Sequence, residues 1–208
     1  MLTKKLPYWN KAIRDLKHKD KILAKIIDQY CKDYLIVRDK YFISLIRAII
    51  GQQISVKAAQ SIWIKFTNQY RIISPNKISK QNIQSLKKLG LSKQKANYIK
   101  NISNYFLNNK KKINNWNKLS DEEIIKDLVS IKGIGTWTAE MFLMFSLGRP
   151  NIFPIKDLGL LKAISINYNK KLPLDYKFLD KLKKKWDPWC SVATWFLRRS
   201  IDPIPINY

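Results

Sequence analysis

Histidine and cysteine are almost missing from this sequence. There is one histidine, His18, and there are two cysteines, Cys31 and Cys190. Two cysteines cannot build a disulfide framework or a four-cysteine cluster. One histidine leaves little for a zinc site or a Ser/His nucleophile, so no cofactor and no metal held by side chains is expected. Only six of the 208 residues are glycine, which leaves little material for long irregular loops. No apolar run reaches the roughly 20 residues a membrane helix needs, and the N-terminus has no signal-peptide apolar segment. A soluble monomer in a reducing compartment follows as the expectation, cytoplasmic and nucleoid-associated in a prokaryote, with no membrane partner.

Acid is scarce as well. Forty Lys and Arg stand against fifteen Asp and Glu, a formal charge of +25. Such a balance attracts polyanions. Only seven of the cations are arginine, and the chain is rich in Lys, Asn and Ile, so part of the charge is explained as solvated surface in a composition-biased protein. Charge makes nucleic acid the natural partner and leaves open what is done to it. A hydrophobic fraction of 46% is that of a folded chain, long enough for one domain or two small lobes.

What is present is helical periodicity. Residues 8–30 carry Ile13, Leu16, Ile22 and Ile26 at helical spacing. Residues 41–50 are apolar nearly all round, which reads as a buried helix; their β-branched content would also allow a strand, but the neighbouring helical patterns favour helix. Gly51 ends that segment, and Ser55 is placed to cap a helix from Val56 to about Phe66. Ser74-Pro75 reads as a turn, 79–89 as a short helix stopped by Gly90, Ser92 as the cap of 93–107, and 108–112 as a charged loop. Ser120 with Glu123 is a capping box, opening a helix broken by Gly133-Ile134-Gly135. Helices follow over 136–147, 158–166, 175–185 and 189–201. The expectation is an all-α fold of about nine or ten helices with no strand and no internal repeat.

The hairpin at 120–148 is the stretch with the clearest chemistry. Two glycines one residue apart let a backbone approach a partner closely. The next helix begins there, so its unsatisfied N–H groups and positive dipole end face outward, with Lys132 alongside. The competing reading is a plain corner between two helices, where glycine only supplies unusual dihedrals. The apolar faces on both sides, with Ile131 and Ile134 able to pin the turn, favour a phosphate site. Downstream, Asp157 is the only acid between Glu140 and Asp175. By itself it reads as a helix N-cap.

From Leu128 through Ile131-Lys-Gly-Ile-Gly135 to Trp137-Thr-Ala139, the hairpin resembles the helix-hairpin-helix motif of the DNA glycosylase superfamily. Asp157 stands where that superfamily keeps its catalytic aspartate. The stretch Leu45-Ile-Arg-Ala-Ile-Ile-Gly-Gln-Gln-Ile-Ser55, the run from Leu86 to Lys95, Phe153-Pro with Asp157-Leu-Gly-Leu, and Trp186 with Pro188-Trp189, Ser191 and Ala193 are similar in the same order. Together they cover about residues 41–200. The resemblance is to type II 3-methyladenine DNA glycosylases.

That resemblance implies two helical lobes around a cleft that takes a flipped base: 39–151 with the hairpin, and 1–38 with 152–208 carrying Asp157. The N-terminal β-domain found in some members is not expected, because the chain is short and reads as helix from the start. The implied activity is monofunctional hydrolysis of the N-glycosidic bond of alkylated bases in duplex DNA, with Asp157 stabilising positive charge on the sugar. Lyase members of the superfamily carry a lysine two positions after the second glycine; here that position is Trp137, so no strand cleavage is expected. Trp137 would line a pocket for a cationic base. Tyr41, Trp189 and Trp195 are further candidate walls, each explained equally well by core packing. Gln53, with Gln52 beside it, would fill the gap left by the flipped nucleotide. Lys132, Gly133, Ile134, Gly135 and Thr136 would meet the DNA backbone, and a monovalent cation could bridge the carbonyls of Ile131 and Ile134 to a phosphate. Three departures leave pocket shape and substrate range open: Lys156 stands where an acid is common, Cys190 where arginine is usual, and Arg198 where an aromatic is common. Cys190 reads as a small buried apolar residue rather than a reactive thiol. The alternative is a non-catalytic DNA-binding protein that uses the same hairpin. A general basic RNA-binding protein is a third, weaker possibility.

Overall fold

The structure is a computed structural model that describes residues 5–202. Among the described residues it contains thirteen α-helices, a 3-10 turn at Trp116–Lys118, and one isolated antiparallel bridge between Lys5 and Ile36. This is the expected all-α class. In chain order the helices are α1 (Trp9–Lys19), α2 (Lys21–Gln29), α3 (Tyr41–Gly51), α4 (Val56–Gln69), α5 (Pro75–Ser79), α6 (Ile83–Lys87), α7 (Lys93–Asn108), α8 (Lys110–Asn114), α9 (Asp121–Val129), α10 (Thr136–Phe145), α11 (Leu158–Asn167), α12 (Tyr176–Trp186) and α13 (Cys190–Ile201). None of the described helices is long and apolar enough to cross a membrane.

Short polar side chains set most of the starts. Ser55, Ser74, Asn82 and Ser92 each accept a hydrogen bond from the backbone N–H three residues on. Ser120 and Glu123 form the reciprocal capping box. Three segments differ from the sequence reading. Ser74-Pro75 opens α5 instead of turning, because proline at the first helical position is already set for a helix and Ser74 caps it. The expected helix over 79–89 is reduced to α6, which Asn82 restarts. Residues 110–114, read as part of a loop, form α8 because Ile113 and Trp116 are drawn into the core.

The chain packs as two units: described residues 5–37 with 143–202, and residues 38–142. In the first unit α13 is the central strut. Its residues 190–194, Phe196 and Leu197 are buried, and it packs against α1, α2, α11 and α12. Trp9, Leu16, Leu23, Leu160, Ile164 and Trp186 complete that core. In the second unit α3 and α7 pack together, with α4 on α3 and α5, α6 and α8 on α7. Aromatic rings close the second core: Phe42 on Phe106 at 5.3 Å, Phe106 on Trp116 at 5.8 Å, and Trp116 on Phe142 at 5.4 Å between centroids.

Buried carboxylates brace both units. Asp127 in α9 accepts hydrogen bonds from the Tyr105 hydroxyl at 2.5 Å and from Trp116 Nε1 at 2.9 Å, and it pairs with Lys112. Asp20 caps α2 and also accepts from the Tyr168 hydroxyl at 2.7 Å, Trp186 Nε1 at 3.0 Å and Lys185 Nζ at 3.0 Å.

Candidate functional site

The hairpin residues lie in the second unit, and the structure shows what holds them. Gly133 has φ +112, a left-handed backbone that only glycine adopts easily. A Cβ there would stand 2.3 Å from Cγ of Tyr98, so the turn rests directly on that ring. Asn101 Nδ2 donates to the Lys132 carbonyl at 3.2 Å. Ile131 and Ile134 are buried, and Ile134 N donates to the Ile131 carbonyl at 3.0 Å. Lys132, Gly135 and Thr136 are exposed. At Gly135 a Cβ would meet nothing within 4 Å, so no packing requires glycine there. α10 starts at Thr136, which turns its first amides and its positive dipole end out at this corner.

The α3–α4 corner is tied to the hairpin. Gln52 Nε2 donates to the Gly133 carbonyl at 3.2 Å and lies 3.4 Å from Thr138 Oγ1. Lys95 Nζ reaches from α7 to the Ile50 carbonyl at 2.8 Å, and burial lowers the pKa of that amine. Gln53 is exposed and has φ +55. Left-handed backbone is uncommon for any residue but glycine, and a strained exposed tip is a reason to look for function. Ile54 and Val56 beside it are exposed, Val56 by 79%. Gln52 and Gln53, adjacent in sequence, thus do different things: one is spent inside the protein and one projects.

Tyr41 and Trp137 are half-buried in the second unit. The Tyr41 ring lies 5.4 Å from Phe142 and 5.9 Å from Trp116. Trp189 and Trp195 belong to the first unit, with Asp157. Trp189 is a core residue: it stacks on Tyr8 at 5.5 Å, and its Nε1 donates to Asp15 at 2.8 Å. Trp195 is half-buried, edge-on to Trp9 at 5.3 Å. Cys190 is fully buried, and burial pushes its thiol up to about 12, so it is an inert packing residue.

Asp157 is 2% exposed and caps α11. Its Oδ1 accepts the Leu160 N–H at 2.7 Å, and its Oδ2 is ion-paired to Arg198 Nη1 of α13. Leu158, 80% exposed, and Ile155 flank it with apolar surface. Sequence reasoning placed Asp157 at the cap and marked Arg198 only as an unusual residue. The pairing of the two, 41 positions apart, had no local signal.

These features define a class: a helix-hairpin-helix protein whose exposed turn presents the start of a helix, and which carries a buried, oriented carboxylate. The chain belongs to the HhH-GPD superfamily of base excision DNA repair proteins, whose profile matches residues 46–188. It is 30% identical over 185 residues to DNA-3-methyladenine glycosylase 1 of Schizosaccharomyces pombe, covering 85% of this chain and 79% of that protein. A Bacillus subtilis protein provisionally named DNA-3-methyladenine glycosylase is 29% identical over 188 residues, which cover 86% of this chain and 66% of that one. Among solved structures, the S. pombe 3-methyladenine DNA glycosylase in complex with abasic DNA matches with a TM-score of 0.77 and 28% identity, over 91% of this chain and 96% of that one. Among the described residues no cluster of three or more His, Cys, Asp or Glu is placed to hold a metal ion.

Proposed function

We propose that this protein is a monofunctional DNA glycosylase that removes alkylated bases of the 3-methyladenine type from duplex DNA in base excision repair. The observation that carries the reading is Asp157, a desolvated carboxylate fixed at a helix N-cap in a chain of this family.

The chemistry follows from that carboxylate. An N3-alkylated adenine carries formal positive charge while attached. As the C1′–N9 bond breaks, its electron pair neutralises the departing base and the positive charge moves to the sugar. A buried carboxylate stabilises that charge without having to reorganise. Water then bonds to C1′ and loses a proton, by way of Asp157, to solvent. The sugar keeps its phosphates. A covalent imine needs an amine, and Trp137 offers none at the position where lyases have lysine.

The remaining residues divide the work of holding DNA. Gly135, Thr136 and Lys132 meet a backbone phosphate, Gln53 enters the base stack where a nucleotide has left, and Trp137 and Tyr41 flank the extruded base. A monovalent cation fits the hairpin as an aid to phosphate binding: the Ile131 carbonyl already accepts one hydrogen bond and retains a second lone pair. The hairpin alone would equally serve a protein that binds DNA without chemistry.

The deciding experiment is Asp157→Asn. Asparagine also caps helices well, so the fold is expected to survive. Release of 3-methyladenine and 7-methylguanine from methylated DNA should fall by about 100- to 1,000-fold, while duplex affinity stays within about twofold. Unchanged base release in that variant rejects the proposal and leaves a DNA-binding protein.

A further inference from the structure

The Arg198–Asp157 pair is the feature that the proposed chemistry does not yet use. Its two side chains are 16% and 1% exposed, so the pair is largely desolvated. The carboxylate is held at both oxygens, by the Leu160 amide at Oδ1 and by the guanidinium at Oδ2. A carboxylate held at one oxygen can still swing, because its terminal torsion is broad. A second charge-assisted contact fixes its plane. Gly159 supports the same reading independently. Its φ does not lie in the left-handed region, so the backbone does not require glycine there. A Cβ would stand 3.1 Å from Asp157 Oδ1, 3.4 Å from Arg198 Cζ and 3.5 Å from Arg198 Nη2. A side chain at 159 would press on the ion pair itself.

We propose that Arg198 is a positioning residue for base release: it locks the Asp157 carboxylate in the orientation that meets the charge developing on the sugar. The inference rests on Asp157 being the catalytic carboxylate. It has a rival with the opposite sign. A guanidinium that merely neutralised the acid would oppose positive charge on the sugar, and removing it would speed the reaction. A purely structural tie between α11 and α13 would, when cut, weaken all forms of the protein alike.

The test compares Arg198→Ala, Arg198→Lys, Gly159→Ala and Asp157→Asn. It reads single-turnover release of 7-methylguanine and binding to two product-like duplexes. One duplex carries a neutral tetrahydrofuran abasic nucleotide; the other carries a cationic pyrrolidine nucleotide, which mimics the charged sugar. Positioning predicts that Arg198→Ala slows release by about 10- to 100-fold. Its half-saturating concentration should stay within about twofold, and its preference for the pyrrolidine duplex should fall by a similar factor. Arg198→Lys should recover part of the loss, and Gly159→Ala should lose a few-fold with both charges still present. Release that is unchanged or faster in Arg198→Ala overturns the proposal, as does an equal loss of affinity for both duplexes. If Arg198→Ala fails to fold, Arg198→Lys and Gly159→Ala decide, and parental rates and preference in both overturn it. Full activity in Asp157→Asn would remove the catalytic reading altogether. An inactive Asp157→Asn beside a fully active Arg198→Ala would remove only this inference.

Discussion

Asp20 and Asp157 are both buried acids that cap helices, yet their surroundings assign them different work. Asp20 meets donors from Tyr168, Trp186, Lys185 and its own helix. Burial alone would raise its pKa, but the hydrogen bonds from Trp186, Tyr168 and Lys185 outweigh burial and hold it below the usual carboxylate range. A carboxyl depressed in the folded state stabilises the fold above its unfolded pKa of about 4, and that contribution is lost as pH falls through the lower folded value. Asp20→Asn should therefore lose about 2–4 kcal/mol near pH 7, and the gap to the parent should close below about pH 4. Thermal melts between pH 3 and 7 would check this. The two thiols also separate by environment: Cys31 is exposed and Cys190 is buried. A thiol-alkylating reagent should modify one site in the native protein, Cys31, and reach Cys190 only after denaturation; mass spectrometry of native and unfolded samples reads the outcome.

At the scale of the element, the hairpin's two glycines have separate reasons. Gly133→Ala sets a Cβ into the Tyr98 ring on a left-handed backbone, so a stability loss of about 2–3 kcal/mol is expected, with weaker duplex binding. Gly135→Ala meets no protein atom within 4 Å. Its melting temperature should barely move, while duplex affinity should fall if the exposed turn meets a phosphate as proposed. Equal melting losses in the two variants would contradict this division. The sequence made the hairpin, the capping box at Ser120 and the cap at Asp157 readable, because each depends on residues within one turn of a helix. The resemblance singled out Gln53 with Gln52 beside it; only the structure shows that Gln52 is bound to the Gly133 carbonyl while Gln53 is exposed.

For the whole molecule, the +25 charge governs how DNA is met rather than how the chain folds. Duplex affinity should fall with salt by about 0.9 log unit per log unit of salt for each phosphate neutralised. Lys132→Ala should reduce that slope by about one contact, whereas Gly135→Ala should weaken binding with the slope nearly unchanged, because it removes no charge. Titrations from 50 to 200 mM salt distinguish the two; a slope that Lys132→Ala leaves intact would mean Lys132 is solvated surface. The same composition that signals a polyanion partner is silent on the reaction.

The sequence by itself determined the helical class, most helix starts, the hairpin and the place of Asp157, because periodicity and capping act over three or four residues. Tertiary structure alone decided which side chains meet across the chain. Arg198 reaches Asp157 from 41 positions away, Gln52 reaches Gly133 from 81, and Trp189 reaches Asp15 from 174. No local pattern encodes such meetings. They follow from how α13 runs through the core of its unit and how α3 and α7 lie together in theirs. For that reason Asp157 could be found from sequence, while the guanidinium that holds it could be found only by following the chain through space.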